Sequence, residues 1–296
     1  MANPVIATGL DQPEGPAFGP DGVLHLVEMG EARACVSILD PEARRRLPRY
    51  GGRPTGLAFD GDGGLWVAGG PGDSLIRLAP DGRILTRIDG DDEGPFLFPN
   101  DLAFGPDGKL YMTDSGMRPA DFITGLAIRP DFFTAPYDGR VFQIDPRTGR
   151  VERRLAVGLR FANGLAFGPD GALYVNETLT GRIYHLTPLD PVGRVDVFAE
   201  GVSHPSPKRF AGPDGMAFDV DGTLYCAVYG DGVVVVCASD GTLAARLACN
   251  GRLPTNVAFQ PGTSRLIVTE VEHGAVEEIE AAARGLALPT PRIDPA

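Results

Sequence analysis

One phrase occurs six times in this chain, and it limits the possible folds more than any other feature. The copies are PEGPAFGPDGVLHLVE from Pro13, PTGLAFDGDGGLWVA from Pro54, PNDLAFGPDGKLYMTD from Pro99, ANGLAFGPDGALYVNE from Ala162, PDGMAFDVDGTLYCAV from Pro213 and PTNVAFQPGTSRLIVTE from Pro254. Each reads as a short strand ending in Ala-Phe, a tight turn, and an apolar strand. Asp-Gly supplies the turn in the first five copies, where backbone with positive φ is needed. The sixth copy uses Gly262-Thr263-Ser264 instead. Most copies are followed by another strand pair, as in SLIRLAPDGRILTRI from Ser74 and RVFQIDPRTGRVERRL from Arg140. Successive copies lie 41, 45, 63, 49 to 51 and 41 residues apart, according to the anchor chosen. A period in the forties with four strands per unit is the signature of a propeller blade.

The chain is therefore expected to be all-β, a six-bladed β-propeller of four antiparallel strands per blade, forming one domain over residues 1–296. After the sixth copy one clear strand remains, Ala275 to Glu280, so the last blade lacks an outer strand. The segment Val5 to Leu10 resembles the outer strands of other repeats and would complete that blade, locking the ring and removing an exposed edge. Residues 281–296 have no place in this scheme. The 40 glycines and 27 prolines among 296 residues fit frequent turns.

Asp and Glu exceed Lys and Arg by 39 to 27, giving a formal charge of −12. That balance argues against nucleic acid and anionic membranes, whose phosphates need a basic face, and otherwise reads as solubility; the partner expected is a small-molecule substrate. The four cysteines form no CxxC pair, so neither a zinc knuckle nor a disulfide scaffold is indicated. Met1-Ala2-Asn3-Pro4 lacks the regions of a signal peptide, and no apolar run reaches membrane-spanning length. A cytoplasmic protein with reduced thiols is expected, its oligomeric state open.

In a propeller the innermost strand of every blade lines the central channel, so equivalent positions form a ring. Here the ring holds Glu14, Thr55, Asn100, Asn163, Asp214 and Thr255. Glu14, Asn100, Asn163 and Asp214 together make a hard-cation site. Ca²⁺ fits best, taking six to eight oxygens from carboxylates, carboxamides and water. Mg²⁺, Mn²⁺ and Zn²⁺ are left open, although no His or Cys occupies the ring. Two buried carboxylates with no cation between them would repel each other. If the turns centre on Asp21, Asp107 and Asp170, then Glu14 pairs with Glu28, Asn100 with Asp114 and Asn163 with Glu177. Those three acids would form a second shell that orients the ligands, or else solvated strand ends.

Residues 116–139 replace a short turn after the strand Leu110 to Asp114, on the side of the ring. They are expected to wall or cover the channel mouth, with Phe122, Phe132, Phe133 and Tyr137 as candidate contacts. His204, in the loop before the fifth copy, is a candidate substrate contact or proton shuttle, and Lys208 and Arg209 could hold an anionic substrate.

The six phrases, with Glu, Asn, Asn and Asp in blades one, three, four and five, resemble the senescence-marker-protein/gluconolactonase family of six-bladed propellers. So do FANGLAFGPDGALYVNET (Phe161 to Thr178) and YMTDS (Tyr111 to Ser115). The resemblance runs from about Val5 to Glu280. It implies a divalent-metal hydrolase of lactones, with relatives that hydrolyse organophosphates such as diisopropyl fluorophosphate. Carried over, it makes Glu14, Asn100, Asn163 and Asp214 the metal ligands, Asn100 a substrate contact and Asp214 the base or nucleophile. Sugar lactonases of the family often carry Arg two residues before the third-blade Asn, where this chain has Phe98. That departure points to a substrate less polar than gluconolactone, with Phe98 in contact. The expected activity is metal-dependent opening of a cyclic ester. The competing readings are an organophosphate or other ester hydrolase with the same ring, and a non-catalytic ligand-binding propeller with a structural cation. Strictosidine-synthase-like propellers are a further possibility, against which the full Glu/Asn/Asn/Asp ring counts.

Overall fold

The computed structural model describes residues 2–187 and 195–293. It contains six four-stranded antiparallel sheets, one per repeat. Blade 1 is Pro13–Phe18, Leu24–Glu28, Cys35–Leu39 and Arg44–Arg46, and blade 2 is Leu57–Phe59, Leu65–Gly70, Ser74–Leu78 and Ile84–Ile88. Blade 3 is Pro99–Phe104, Leu110–Asp114, Gly139–Asp145 and Arg150–Leu159, and blade 4 is Ala162–Phe167, Leu173–Glu177, Arg182–Leu186 and Val195–Ala199. Blade 5 is Gly212–Phe218, Leu224–Tyr229, Val233–Cys237 and Leu243–Ala248. Blade 6 is Pro254–Phe259, Arg265–Glu270 and Ala275–Glu280, completed by the N-terminal Val5–Ala7. Val5 pairs with Glu277 and Ala7 with Val276, so the ring closes between the two ends of the chain as expected.

Middle strands such as Leu24–Glu28 and Leu173–Glu177 are buried along their whole length, because neighbouring blades cover both faces. Outer strands such as Arg44–Arg46 are exposed. The apolar core is accordingly divided into six clusters, one at each blade-to-blade interface. A seventh cluster lies under the insertion after blade 3, with Phe98, Met117, Phe122, Phe132, Phe161 and Leu179 in it.

The C-terminal segment, which the repeat pattern could not place, crosses the propeller on the side of the Asp-Gly turns. Gly285 bridges to Asp219 of blade 5, Gly61 donates to the Pro291 carbonyl, and Ile293 packs into the core between blades 2 and 3.

Near the axis the inner strands approach so closely that side chains are excluded. A Cβ on Gly164 would lie 2.1 Å from the Asp214 carbonyl oxygen, and one on Gly215 would lie 1.9 Å from the Asn256 side chain. In the first case the obstacle is backbone that only a shift of blade 4 against blade 5 could relieve. Gly164→Ala is therefore expected to destabilise by about 3 kcal/mol or more, measured as a lower urea midpoint. An unchanged midpoint would mean that the blades do not pack this tightly.

Candidate functional site

All six ring residues are buried, and all six line one cavity of about 70 Å³ on the channel axis. A bulge aims them there. In blade 1 Ala17 pairs with His25 but Pro13 pairs with Glu28, so the inner strand gains a residue between Glu14 and Ala17. The same shift follows Pro99, Ala162 and Pro213. A bulge of this kind kinks the strand and redirects its side chains.

The bulge corrects the expected acidic second shell. Glu28 stands opposite Pro13, Asp114 opposite Pro99 and Glu177 opposite Ala162, rather than opposite the ring residues. These carboxylates pin the segments that lead into the inner strands. Glu28 accepts from the Asp11 amide at 2.6 Å, Asp114 from the Leu97 and Phe98 amides at 2.7 and 3.0 Å, and Glu177 from the Arg160 amide at 2.7 Å. Burial alone would raise the Glu28 carboxyl, but hydrogen bonds from Ser37, Arg33 and Arg46 outweigh it and bring its pKa down to about 2. Asp114 is raised by burial, against its three amide donors. In blade 6 Glu270 repeats the device with the amides of Leu253, Glu272 and His273, so its closeness to Glu272 and His273 reflects a latched turn.

The side chains that orient the ring are hydroxyls. The amide nitrogen of Asn100 donates to Ser115 Oγ at 2.9 Å, and Ser115 Oγ donates to the Ala162 carbonyl at 2.9 Å. Asn163 donates to Thr178 Oγ1 at 3.1 Å, and Thr178 donates to the Pro213 carbonyl at 2.8 Å. Each hydroxyl proton is spent on a carbonyl, so the hydroxyl must accept from the carboxamide, and the carboxamide orientation is decided. The Oδ1 atoms of Asn100 and Asn163 are thereby left for the cavity. Thr55 and Thr255 use their own hydroxyls in the same way, on the carbonyls of Pro99 and Pro13, at 3.0 and 2.9 Å. They staple blades together and are not among the free donors of the ring.

Two further residues belong to the acidic centre. Four copies of the phrase have Gly after the ring residue, whereas blades 3 and 6 have Asp101 and Asn256. Asn256 Nδ2 donates to Glu14 Oε1 at 2.9 Å and also hydrogen-bonds Asp101. Asp101 accepts from the Leu102 and Leu165 amides. Glu14 Oε2 is buried with no hydrogen-bond partner. Burial raises the pKa of Glu14 well above its ordinary value, and the charges of Asp101 and Asp214 push it further. Asp214 is raised by burial and by Asp101, against a hydrogen bond from Asn163. Asp101 is raised by burial to about 6. Asn176 of blade 4 donates to the backbone carbonyl of Asp214 and holds it in place.

Of the four aromatics expected to make contact from the insertion, Phe122 lines the cavity and Phe132, Phe133 and Tyr137 do not. The insertion's short hairpin, Ile123–Thr124 with Ala127–Ile128, lines the cavity with Phe122, Ile123, Leu126 and Ile128. Phe98 also lines it. Phe133 and Tyr137 do not line it; they pack in the insertion's own core, Phe133 under the Arg160 guanidinium and Tyr137 against Phe161 with its hydroxyl on the Phe132 carbonyl. His204 is exposed and is not among the lining residues. Phe210 of the same loop takes that side, stacked among Phe122, Phe161 and Tyr229. Arg209 is committed to Asp231 and the Gly230 carbonyl. An open depression of about 610 Å³ on the outside of the insertion contains no ring residue, and two of the charges lining it, Arg129 and Asp131, are paired with each other.

A family model described as SMP-30/Gluconolactonase/LRE-like region matches residues 88–272. The chain belongs to this family. It is 26% identical over 290 residues to the diisopropyl-fluorophosphatase of Loligo vulgaris, covering 90% of this chain and 88% of that one. It is 27% identical over 277 residues to lactonase drp35 of Staphylococcus saprophyticus subsp. saprophyticus, covering 87% and 78%. The fold matches the crystal structure of a calcium-binding protein, regucalcin, from Agrobacterium tumefaciens with a TM-score of 0.73, at 22% identity and covering 96% and 97% of the two chains. Among the described residues no helix is long and apolar enough to cross a membrane.

Proposed function

We propose that this family member is a divalent-metal-dependent hydrolase that opens a lactone. The carrying observation is the donor set at the axis: an orphaned buried Glu14 Oε2, the Asp214 carboxylate and two carboxamide oxygens turned inward. Those donors fit a hard cation, with Glu14, Asn100, Asn163 and Asp214 holding it and Ca²⁺ the first choice. The calcium-binding relative of the same fold and the curated lactonase relative support the reading. When bound, the cation would supply Lewis-acid polarisation of the ester carbonyl.

The chain's own groups supply the rest. Asp214 takes a proton from the attacking water at its carboxylate oxygen. Asn163 holds Asp214 by a hydrogen bond, and Thr178 holds Asn163, so the base is oriented through two blades. Asn100 presents its carboxamide oxygen and touches the substrate. Phe98, Phe122, Phe161 and Phe210 exclude water and suit a substrate less polar than a sugar lactone. Phe122, Ile123, Leu126 and Ile128 form one wall of the cavity, so a substrate reaches the axis past this hairpin.

The test is a panel of aliphatic, aromatic and sugar lactones at neutral pH, with chelated protein reloaded with Ca²⁺, Mg²⁺, Mn²⁺ or Zn²⁺. Turnover that vanishes on chelation and returns with one cation, greatest for apolar lactones, is expected. Turnover of a fluorophosphate but of no lactone would instead favour the activity named for the squid relative. A folded, reloaded protein that hydrolyses neither would leave a binding propeller.

A further inference from the structure

The residues two places before the ring positions lie where the chain enters the inner strands, one blade after another around the axis. They are Gln12, Arg53, Phe98, Phe161, Gly212 and Leu253. Gln12, Arg53, Phe98 and Phe161 all line the cavity. The set is divided by chemistry: blades 1 and 2 bring a carboxamide and a guanidinium, and blades 3 and 4 bring two phenyl rings. Arg53 Nη2 donates to Gln12 Oε1 at 2.9 Å. That bond uses one of its five N–H donors. Among the described residues no carboxylate is within ion-pair distance of it. The charges of Asp11 and Glu14 act on it only from beyond that distance, and an enclosed guanidinium without a paired carboxylate is costly and calls for a partner.

One partner could be the acidic ring, with Arg53 serving to offset its charge. The contacts run against that. Glu14 Oε2 lacks any hydrogen-bond partner, yet Arg53 donates to Gln12 and not to it. Gln12 is itself held with φ at +56°, in the left-handed region that a non-glycine residue rarely adopts. The strained Gln12 backbone and the Gln12–Arg53 bond together fix the guanidinium at the cavity wall.

We propose that Arg53, steered by Gln12, binds a carboxylate on the substrate, while Phe98 and Phe161 take its apolar part. The substrate class is then an amphipathic lactone bearing a carboxylate beside an aryl or alkyl group. Water adds across the ester, and the product is a hydroxy acid with two carboxylates. A planar guanidinium fork suits a carboxylate, whereas a sugar's hydroxyls would leave its charge unmatched.

This proposal rests on the lactonase reading, and two measurements separate the failure of each. The first compares kcat/KM for two phenyl-substituted γ-lactones that differ only in carrying a carboxylate or a carboxamide. The reloaded wild type is expected to prefer the carboxylate by about 10-fold or more, chiefly through KM. Arg53→Gln should collapse the ratio toward one, and Arg53→Lys should keep part of it. A wild type without preference, or an Arg53→Gln protein that loses both substrates in equal proportion, would overturn the proposal and leave Arg53 as charge balance. The second titrates the chelated protein with 4-phenylbutyrate and 4-phenylbutyramide, followed by NMR. The carboxylate should bind about 10-fold more tightly than the amide in wild type, and no more tightly in Arg53→Gln. Equal binding in wild type sinks the proposal even if lactones are hydrolysed. A preference lost in Arg53→Gln sustains it even if they are not.

Discussion

Asp214→Asn is expected to lower kcat for lactone opening by about 10²–10⁴-fold, the usual contribution of a positioned general base. The fold should survive. The exchange is isosteric, and the Asp214 backbone is held by Asn176 and by the close packing of Gly164. It also takes one of three mutually repelling carboxylates out of the centre. The metal-free variant should therefore melt higher than metal-free wild type, even as activity collapses. Measurement of bound cation in the same sample separates a lost base from a lost ligand. Wild-type turnover by Asp214→Asn would end the assignment of the base.

The second large effect is the dependence of the metal-free protein on pH. Glu14, Asp101 and Asp214 are all raised, so the folded chain keeps protons that the unfolded chain would release. Where the folded state binds more protons, stability falls as pH rises. The loss begins above the ordinary carboxylate range and continues through the Asp101 value of about 6 and beyond. Asp101 alone accounts for roughly 3 kcal/mol between those limits. Glu28 acts in the opposite sense, but its pKa of about 2 places its whole contribution at lower pH. Chelated protein is thus expected to show a clearly lower Tm at about pH 7.5 than at about pH 5, with a divalent cation restoring it at the higher pH. Equal melting at both, with no response to cation, would mean that the three carboxylates do not share one centre.

Much of this centre could be read before any coordinates. The six phrases fixed which residues share the ring, because equivalent positions on equivalent blades must converge. The closing strand Val5–Ala7 was legible for a related reason: a blade short of one strand needs a partner for its edge. The acids Glu28, Asp114 and Glu177 were misassigned, because hairpin counting assumes an unbroken ladder and every relevant inner strand carries a bulge. Asp101 and Asn256 had a visible signal, the loss of Gly at a position that is Gly in four other repeats. Ser115 and Thr178 had a weaker one, each following a pinning acid directly.

Repetition along the chain is a local property, and it was enough to reveal the propeller, the set of equivalent inner-strand positions and the likeness to the SMP-30/gluconolactonase family. What it left undecided depends on side chains from different blades meeting across the axis. Phe210 displaced His204 from the cavity because the aromatic cluster under the insertion fills from the side of blade 5. Phe133 and Tyr137 pack in that cluster away from the cavity, while Phe122, Ile123 and Ile128 of the same cluster also line it. The carboxamide oxygens of Asn100 and Asn163 face inward only because a hydroxyl proton on a neighbouring strand is already committed to the next blade's carbonyl. Such choices belong to contacts far apart in sequence, where a hydrogen bond spent on one partner is lost to every other.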